Sequence, residues 1–130
     1  MDPVVLFVSP YLKDAQSLTQ MLDEASVSLV HANSLREAAI ELANRRFPVV
    51  LTEANLEDGN WQDVLRLARP AGAELVVTNP WADARFWAEA INLGAYDMLA
   101  QPFHKTEVHR VLTSASSSTQ TRTKTAASVR

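Results

Sequence analysis

At 130 residues, 47% of them hydrophobic and 21% charged, the chain has the size and composition of one soluble globular domain. It has no cysteine, which excludes disulfides, a thiol nucleophile and a thiolate metal site. All 15 acids but only nine of the 12 Lys and Arg lie in residues 1–116, so the net charge of −3 conceals an acidic body of about −6, which disfavours contact with the phosphate backbone of a nucleic acid.

The N-terminal "MDPVVLFV" has no basic stretch ahead of a long apolar run, and no run elsewhere is long enough to span a bilayer. A cytoplasmic location of bacterial type, without membrane contact, is the expectation. "VVLFV" (4–8) reads as a first strand. Leu12, Ala15, Leu18 and Leu22 then fall on one face of a helix. "VSLVHA" (27–32) is a second strand, and Ser34 with Glu37 forms a capping box that opens a helix through Leu35, Ala38, Leu42 and Ala43. After Phe47-Pro48 comes a third strand, "VVLT" (49–52), ending at Glu53, followed by a helix over 62–69 that stops at Pro70-Ala71-Gly72. "ELVVT" (74–78) is the fourth strand, and residues 83–93 form a helix closed by Gly94. "YDMLA" (96–100) is the fifth strand, and a last helix follows Pro102 with Val108, Val111 and Leu112 on its inner face.

Strands that alternate with helices imply right-handed βαβ units and a parallel sheet covered on both faces. Continuously aliphatic strands agree with burial from both sides. The expected fold is therefore a doubly wound α/β domain with five parallel strands. From about Ser116 the chain is rich in Ser and Thr and poor in apolar residues, so residues 117–130 read as a flexible tail on a domain of residues 1–116.

In an open parallel sheet the binding site lies beyond the C-terminal strand ends, where strand order reverses. Those ends carry Ser9-Pro10, Glu53, Thr78-Asn79 and Gln101-Pro102. The segments "VVLTEANLEDGNW", "LVVTNPWAD" and, most specifically, "AINLGAYDMLAQPF" resemble the receiver domain of two-component response regulators from residue 4 to about 115. The resemblance implies a flavodoxin-like sheet of order 2-1-3-4-5 and a cis bond at Gln101-Pro102. It also implies a phosphorylation pocket with two acids after the first strand, an acceptor aspartate after the third, Thr or Ser after the fourth and lysine after the fifth. There, carboxylates hold Mg²⁺ and the lysine offsets the charge of a phosphoryl group.

This chain departs from that set at nearly every position. Ser9 and Pro10 replace the acid pair, Glu53 stands at the acceptor and Gln101 at the lysine, while Thr78 matches. The family's site balances three carboxylates with lysine and a divalent cation; here one carboxylate remains among neutral groups. A lone carboxylate is a poor Mg²⁺ site. The expected function is thus a degenerate, phosphorylation-independent signalling module acting by protein–protein interaction, with no enzymatic activity, metal or cofactor. Glu53 is one methylene longer than aspartate and carries one charge against about two on a phosphate group, so it reads either as a partial phosphate mimic bonded by Thr78 and Gln101 or as a solvated carboxylate. The alternative is a receiver still phosphorylated on an unusual acid such as Asp58.

The remaining candidates carry less. Ser9 lacks a Gly-x-Ser-x-Gly elbow, which argues against a hydrolase. His31, His104 and His109 are not at metal-ligand spacing and read as surface residues. Trp61, Trp81 and Trp87 read individually as packing residues. On the fourth helix, however, Phe86, Ala90 and Leu93 make one stripe and Trp87 with Ile91 a second, which would bring Trp87 to the surface. The resemblance implies an output face made of the fourth helix, fifth strand and fifth helix. It would carry Trp87, Ile91, Met98 (where the family has an aromatic switch residue) and His104 onward to Arg110, contacting a protein partner or a second copy. With methionine in place of the ring, that face would be fixed rather than toggled.

Overall fold

The computed structural model describes residues 3–81 and 83–128. The chain opens with strand β1 (Val4–Val8), helix α1 (Leu12–Met21), strand β2 (Ser28–Ala32), helix α2 (Leu35–Asn44) and strand β3 (Val49–Glu53). A two-residue ladder, β4 (Asn55–Leu56) with β5 (Gly59–Asn60), leads into helix α3 (Trp61–Ala68). Strand β6 (Glu74–Asn79), helix α4 (Ala84–Leu93), strand β7 (Asp97–Ala100) and helix α5 (Lys105–Ser128) complete it. The five longer strands pair in parallel in the order β2-β1-β3-β6-β7. This is the expected 2-1-3-4-5 arrangement, with order reversing at β1 and β3.

The alternation of side chains along each strand builds two cores. Leu6, Val8, Val50, Leu75, Val77 and Met98 face one side, where Ala38 of α2, Trp61, Val64 and Ala68 of α3, and Ala90 of α4 cover them. Val5, Phe7, Val49, Leu51, Val76 and Leu99 face the other, under Ala15 and Leu18 of α1 and Val108, Val111 and Leu112 of α5. A strand interior buried on both faces has no position for a polar residue, which explains why Val4–Val8, Val49–Leu51 and Leu75–Val77 are apolar before Ser9, Thr52 and Thr78.

The helix boundaries follow local chemistry. The Ser34 hydroxyl accepts from the Glu37 N–H, while the Glu37 carboxylate reaches back to Asn33 instead of Ser34. The stronger capping box is one not anticipated: Asn60 accepts from Gln62 and Asp63, and Asp63 accepts from the Asn60 N–H. Gly94 ends α4 at φ 120°, where a Cβ would run into the Arg69 guanidinium. The Gln101–Pro102 bond is cis, as expected. Leu12 and Leu93, assigned inward by helical spacing, are 60% and 46% exposed; each lies in an end turn of its helix, at the margin of the sheet.

Helix α5 does not break at Ser116, where the expected tail begins. Helix α5 continues through Ser128, and Ala115, Ser116 and Thr119 are buried along it. The composition is misleading here because hydroxyls replace methyls on the inner face. Thr119 Oγ1 donates to the Pro48 carbonyl at 2.8 Å, and Ser118 Oγ donates to Glu74 at 2.8 Å. Satisfied in this way, Ser and Thr pack like small core residues. The last two residues of the expected tail lie outside the described residues. Thr119→Val keeps the shape but removes one of two donors to the Pro48 carbonyl, which keeps the Glu74 N–H at 2.9 Å, so it should lower stability by about 1 kcal/mol. Urea unfolding of the two proteins checks this; equal midpoints would show that the contact contributes nothing.

Candidate functional site

Sheet register assembles the site. Glu53 pairs with Thr78 across β3 and β6, and Thr78 pairs with Leu99 across β6 and β7. Gln101 follows two residues after Leu99, so all three side chains gather at one edge of the sheet. The Gln101 amide nitrogen donates to Glu53 Oε1 at 3.1 Å and Oε2 at 3.2 Å, and to Thr78 Oγ1 at 3.0 Å. An amide has two N–H groups, so one is shared by the carboxylate oxygens and the other goes to the threonine.

The expected bond from Thr78 to Glu53 is not the one formed. Thr78 Oγ1 donates to the Leu99 carbonyl at 2.8 Å. A hydroxyl has a single proton, and the buried carbonyl takes it. Gln101 is thus the group that joins Glu53 to Thr78. Glu53 is only 4% exposed, so it is not the solvated carboxylate at a strand mouth.

Ser9 is fully buried but faces its own loop. Its hydroxyl accepts from the Tyr11 N–H at 3.0 Å, and its carbonyl is 2.8 Å from His31 Nε2. His31 is accordingly a half-buried structural residue stacked on Phe7. Pro10 is half-buried and adds no polar side chain.

Sequence reasoning missed Asp14. It occupies the third position of α1, half-buried, and its carboxyl helps to raise the Glu53 pKa. The signal was present: side chains in a first helical turn tilt back toward the helix N-terminus, here toward the strand ends. The acids sought directly after β1 are absent, and one acid enters from the helix above. Burial is the main cause that pushes the Glu53 pKa up, to about 7; Gln101 opposes it, and the hydrogen bond and charge of Asp14 reinforce it.

Asp58 is elsewhere. Its two oxygens accept from the Leu35 and Arg36 N–H groups at 2.9 and 3.0 Å, capping α2 and holding its own pKa down.

On the α4 side, Trp87 and Ile91 are 48% and 40% exposed, while Phe86 packs inward against Trp61. Trp81, read as a packing residue, is instead 86% exposed in the turn after β6, where its N–H bonds Asn79. Met98 does not belong to the surface: it is 3% exposed within the core beneath α4, because its position in β7 points to the inner face of the sheet. His104 is exposed.

With this geometry in hand, known structures show what the fold is. The receiver domain of a putative LuxO repressor protein from Vibrio parahaemolyticus superposes with TM-score 0.87 at 16% identity, covering 96% of this chain and 98% of that one. Its fold is that of a response regulator receiver domain. The receiver of an HD domain-containing protein from Pseudomonas fluorescens Pf-5 gives 0.82 at 24% identity over 93% and 99% of the two chains. The beryllofluoride-activated NtrC4 receiver dimer gives 0.81 at 23% identity over 89% and 98%. No protein-family model and no curated protein matches the chain.

The receiver fold implies Mg²⁺, and the residues present do not fit it. Both Glu53 oxygens face an amide donor, and no carboxylate directly follows β1. Among the described residues no three His, Cys, Asp or Glu gather as a metal site, whereas Mg²⁺ favours near-octahedral oxygen ligation.

The raised Glu53 pKa sets a pH dependence. The folded state keeps a proton that the unfolded chain releases from about 4.5 upward. The Glu53 contribution to stability is therefore largest below that value and is lost as pH rises through about 7. At about 1.4 kcal/mol per pKa unit the full effect is on the order of 3 kcal/mol. Glu53→Gln keeps an acceptor for Gln101 and removes the charge. It should stabilise the protein by about 2 kcal/mol at pH 8 and change little at pH 5. Urea unfolding at both pH values checks this, and a pH-independent difference would contradict it.

Proposed function

We propose that this chain is a signal-transduction module of receiver fold that works without phosphoryl transfer, as a protein-binding unit and not as an enzyme. The observation that carries the reading is the neutral amide of Gln101 bridging Glu53 and Thr78. A receiver needs a cation there to offset the charge of a phosphoryl group, and an amide supplies none. The acceptor position is filled by a buried glutamate already engaged on both oxygens. The alternative of an unusual acceptor loses Asp58, whose oxygens are committed to the start of α2.

The contact surface in this reading is the outer side of α4 with the turn before it. Trp87 and Ile91 are exposed there, with Trp81 nearby in sequence, and Met98 and Ala90 support the helix from within. Exposed tryptophans are frequent anchors of interface energy. His104 lies exposed beyond β7, towards the start of α5. The buried Met98 provides no ring to swing between inside and outside, so the surface is set in one state. The NtrC4 receiver among the structural neighbours is a dimer, which supports a second copy as one candidate partner.

Two measurements test the proposal. After incubation with acetyl phosphate and Mg²⁺, the intact mass should be unchanged; a stoichiometric phosphoryl adduct on any acid would overturn phosphorylation independence. Equilibrium sedimentation of wild type and Trp87→Ala should show self-association weakened by about 2 kcal/mol or more in the variant. If both remain monomeric at high concentration, self-pairing is excluded and a different protein occupies the surface.

A further inference from the structure

Strand β2 leaves one edge of the sheet open. It pairs with β1 alone, in a register that runs unbroken from Ser28 to Ala32. The Ser28 N–H donates to the Pro3 carbonyl and the Ala32 carbonyl accepts from the Ser9 N–H, both on the β1 side. Residues of a parallel ladder alternate in this respect. Val30 therefore also turns to β1, while Leu29 and His31 direct their backbone N–H and C=O groups outward. Natural edges are blunted by charged side chains, proline or a bulge. The segment "SLVHA" has none of these, whereas the opposite edge strand, β7, carries Asp97.

The surface beside this edge is hollow. Two adjoining hollows of about 590 and 410 Å³ lie between α1 and β2 and share Thr19 and Leu29. The larger has no Asp, Glu, Lys or Arg in its lining. Leu12, Gln16, Thr19 and Gln20 form one stripe of α1 along it, all exposed, Leu12 at 60%. Leu29 and His31 are left half-covered. Lys13 stands at the start of α1 and Asp23 just past its end. Both are exposed, and neither has an ion pair among the described residues.

We propose that β2 and α1 form a homodimer contact, in which a second copy of the chain pairs with β2 antiparallel about a two-fold axis through Val30. Directly opposite residues of a sheet share a face, so the axis passes through a residue, and Val30 is the midpoint of the strand. Leu29 of one copy then lies opposite His31 of the other. These are the residues with outward backbone groups, so each free N–H meets a free C=O. The two α1 helices run antiparallel across the axis and fill the hollows, with the two Gln16 side chains nearest the axis. Lys13 of one copy is thereby brought towards Asp23 of the other, opposite charges at both ends of the contact. The acidic bodies repel elsewhere, and this uncharged strip is where they approach. The contact goes beyond the function proposed above and is separate from the Trp87 surface, since α4 packs over Met98 of β7 at the other end of the strand order.

A single engineered thiol tests the register. Val30 faces Val30 as a non-hydrogen-bonded pair, with Cα atoms about 4.5 Å apart, within the span of a disulfide. The chain has no cysteine of its own. Full-chain Val30→Cys oxidised with copper phenanthroline should run as a covalent dimer, and equilibrium sedimentation of the wild type should show monomer and dimer in exchange. Gln16→Lys sets two like charges face to face at the axis, so it should raise the dissociation constant about tenfold or more and suppress the cross-link. Lys13→Asp and Asp23→Lys should each weaken the dimer, and the two together should restore it. A monomeric wild type overturns the proposal and leaves the edge to a strand of another protein. A dimer that ignores Gln16→Lys overturns it as well, as does a cross-link lost in folded Trp87→Ala, because the copies would then meet through another surface. If Val30→Cys fails to fold, sedimentation of the wild type against Gln16→Lys, whose side chain is exposed, still decides.

Discussion

A carboxylate at the inner end of a buried parallel strand must be compensated, and the site is organised around how this one is. Glu53 is reached by an amide in place of a cation, and that amide also takes up the hydroxyl oxygen of Thr78. The threonine is left with one proton, which satisfies the Leu99 carbonyl at the end of the neighbouring strand. The ends of three strands are thereby joined through neutral hydrogen bonds. Such a network satisfies lone pairs without cancelling charge, so the remaining electrostatic demand falls on protons. In a site built with lysine and metal the same carboxylate would be held ionised. Here burial and the nearby Asp14 act in the opposite direction.

The fold was largely legible because its signals are redundant. Five aliphatic runs separated by helical spacing admit few alternatives, and "VVLFV", "VVLT" and "ELVVT" mark β1, β3 and β6 to within a residue. The residues at the strand ends were also legible, since topology alone brings Ser9, Glu53, Thr78 and Gln101 to one edge. What escaped was anything fixed by side-chain direction. Asp14 belongs to a helix in the sequence but to the strand ends in space. Thr78 chose a backbone carbonyl over a carboxylate, a competition that composition does not reveal.

Burial of single residues was the weaker part of the reading, for related reasons. Met98 alternates inward on β7 and is core, although its position in the motif suggested a surface role. Trp81 is large and apolar yet stands outside the packed layers, exposed in the turn after β6. The Ser/Thr-rich stretch after Ser116 looked too polar to pack, but Thr119 and Ser118 find acceptors on Pro48 and Glu74. For Met98, Ser118 and Thr119 the deciding factor was a partner distant in sequence.

Helix α5 gives the molecule a mechanical axis. It starts four residues after Gln101, at the C-terminal edge of the sheet, and its packed part passes Pro48 and Glu74 at the opposite edge. Its 24 residues correspond to about 36 Å of helix. The hydroxyl contacts of Ser118 and Thr119 tie this helix to Glu74 at the start of β6 and Pro48 just before β3, so one element spans the sheet from the Gln101 turn to the opposite edge.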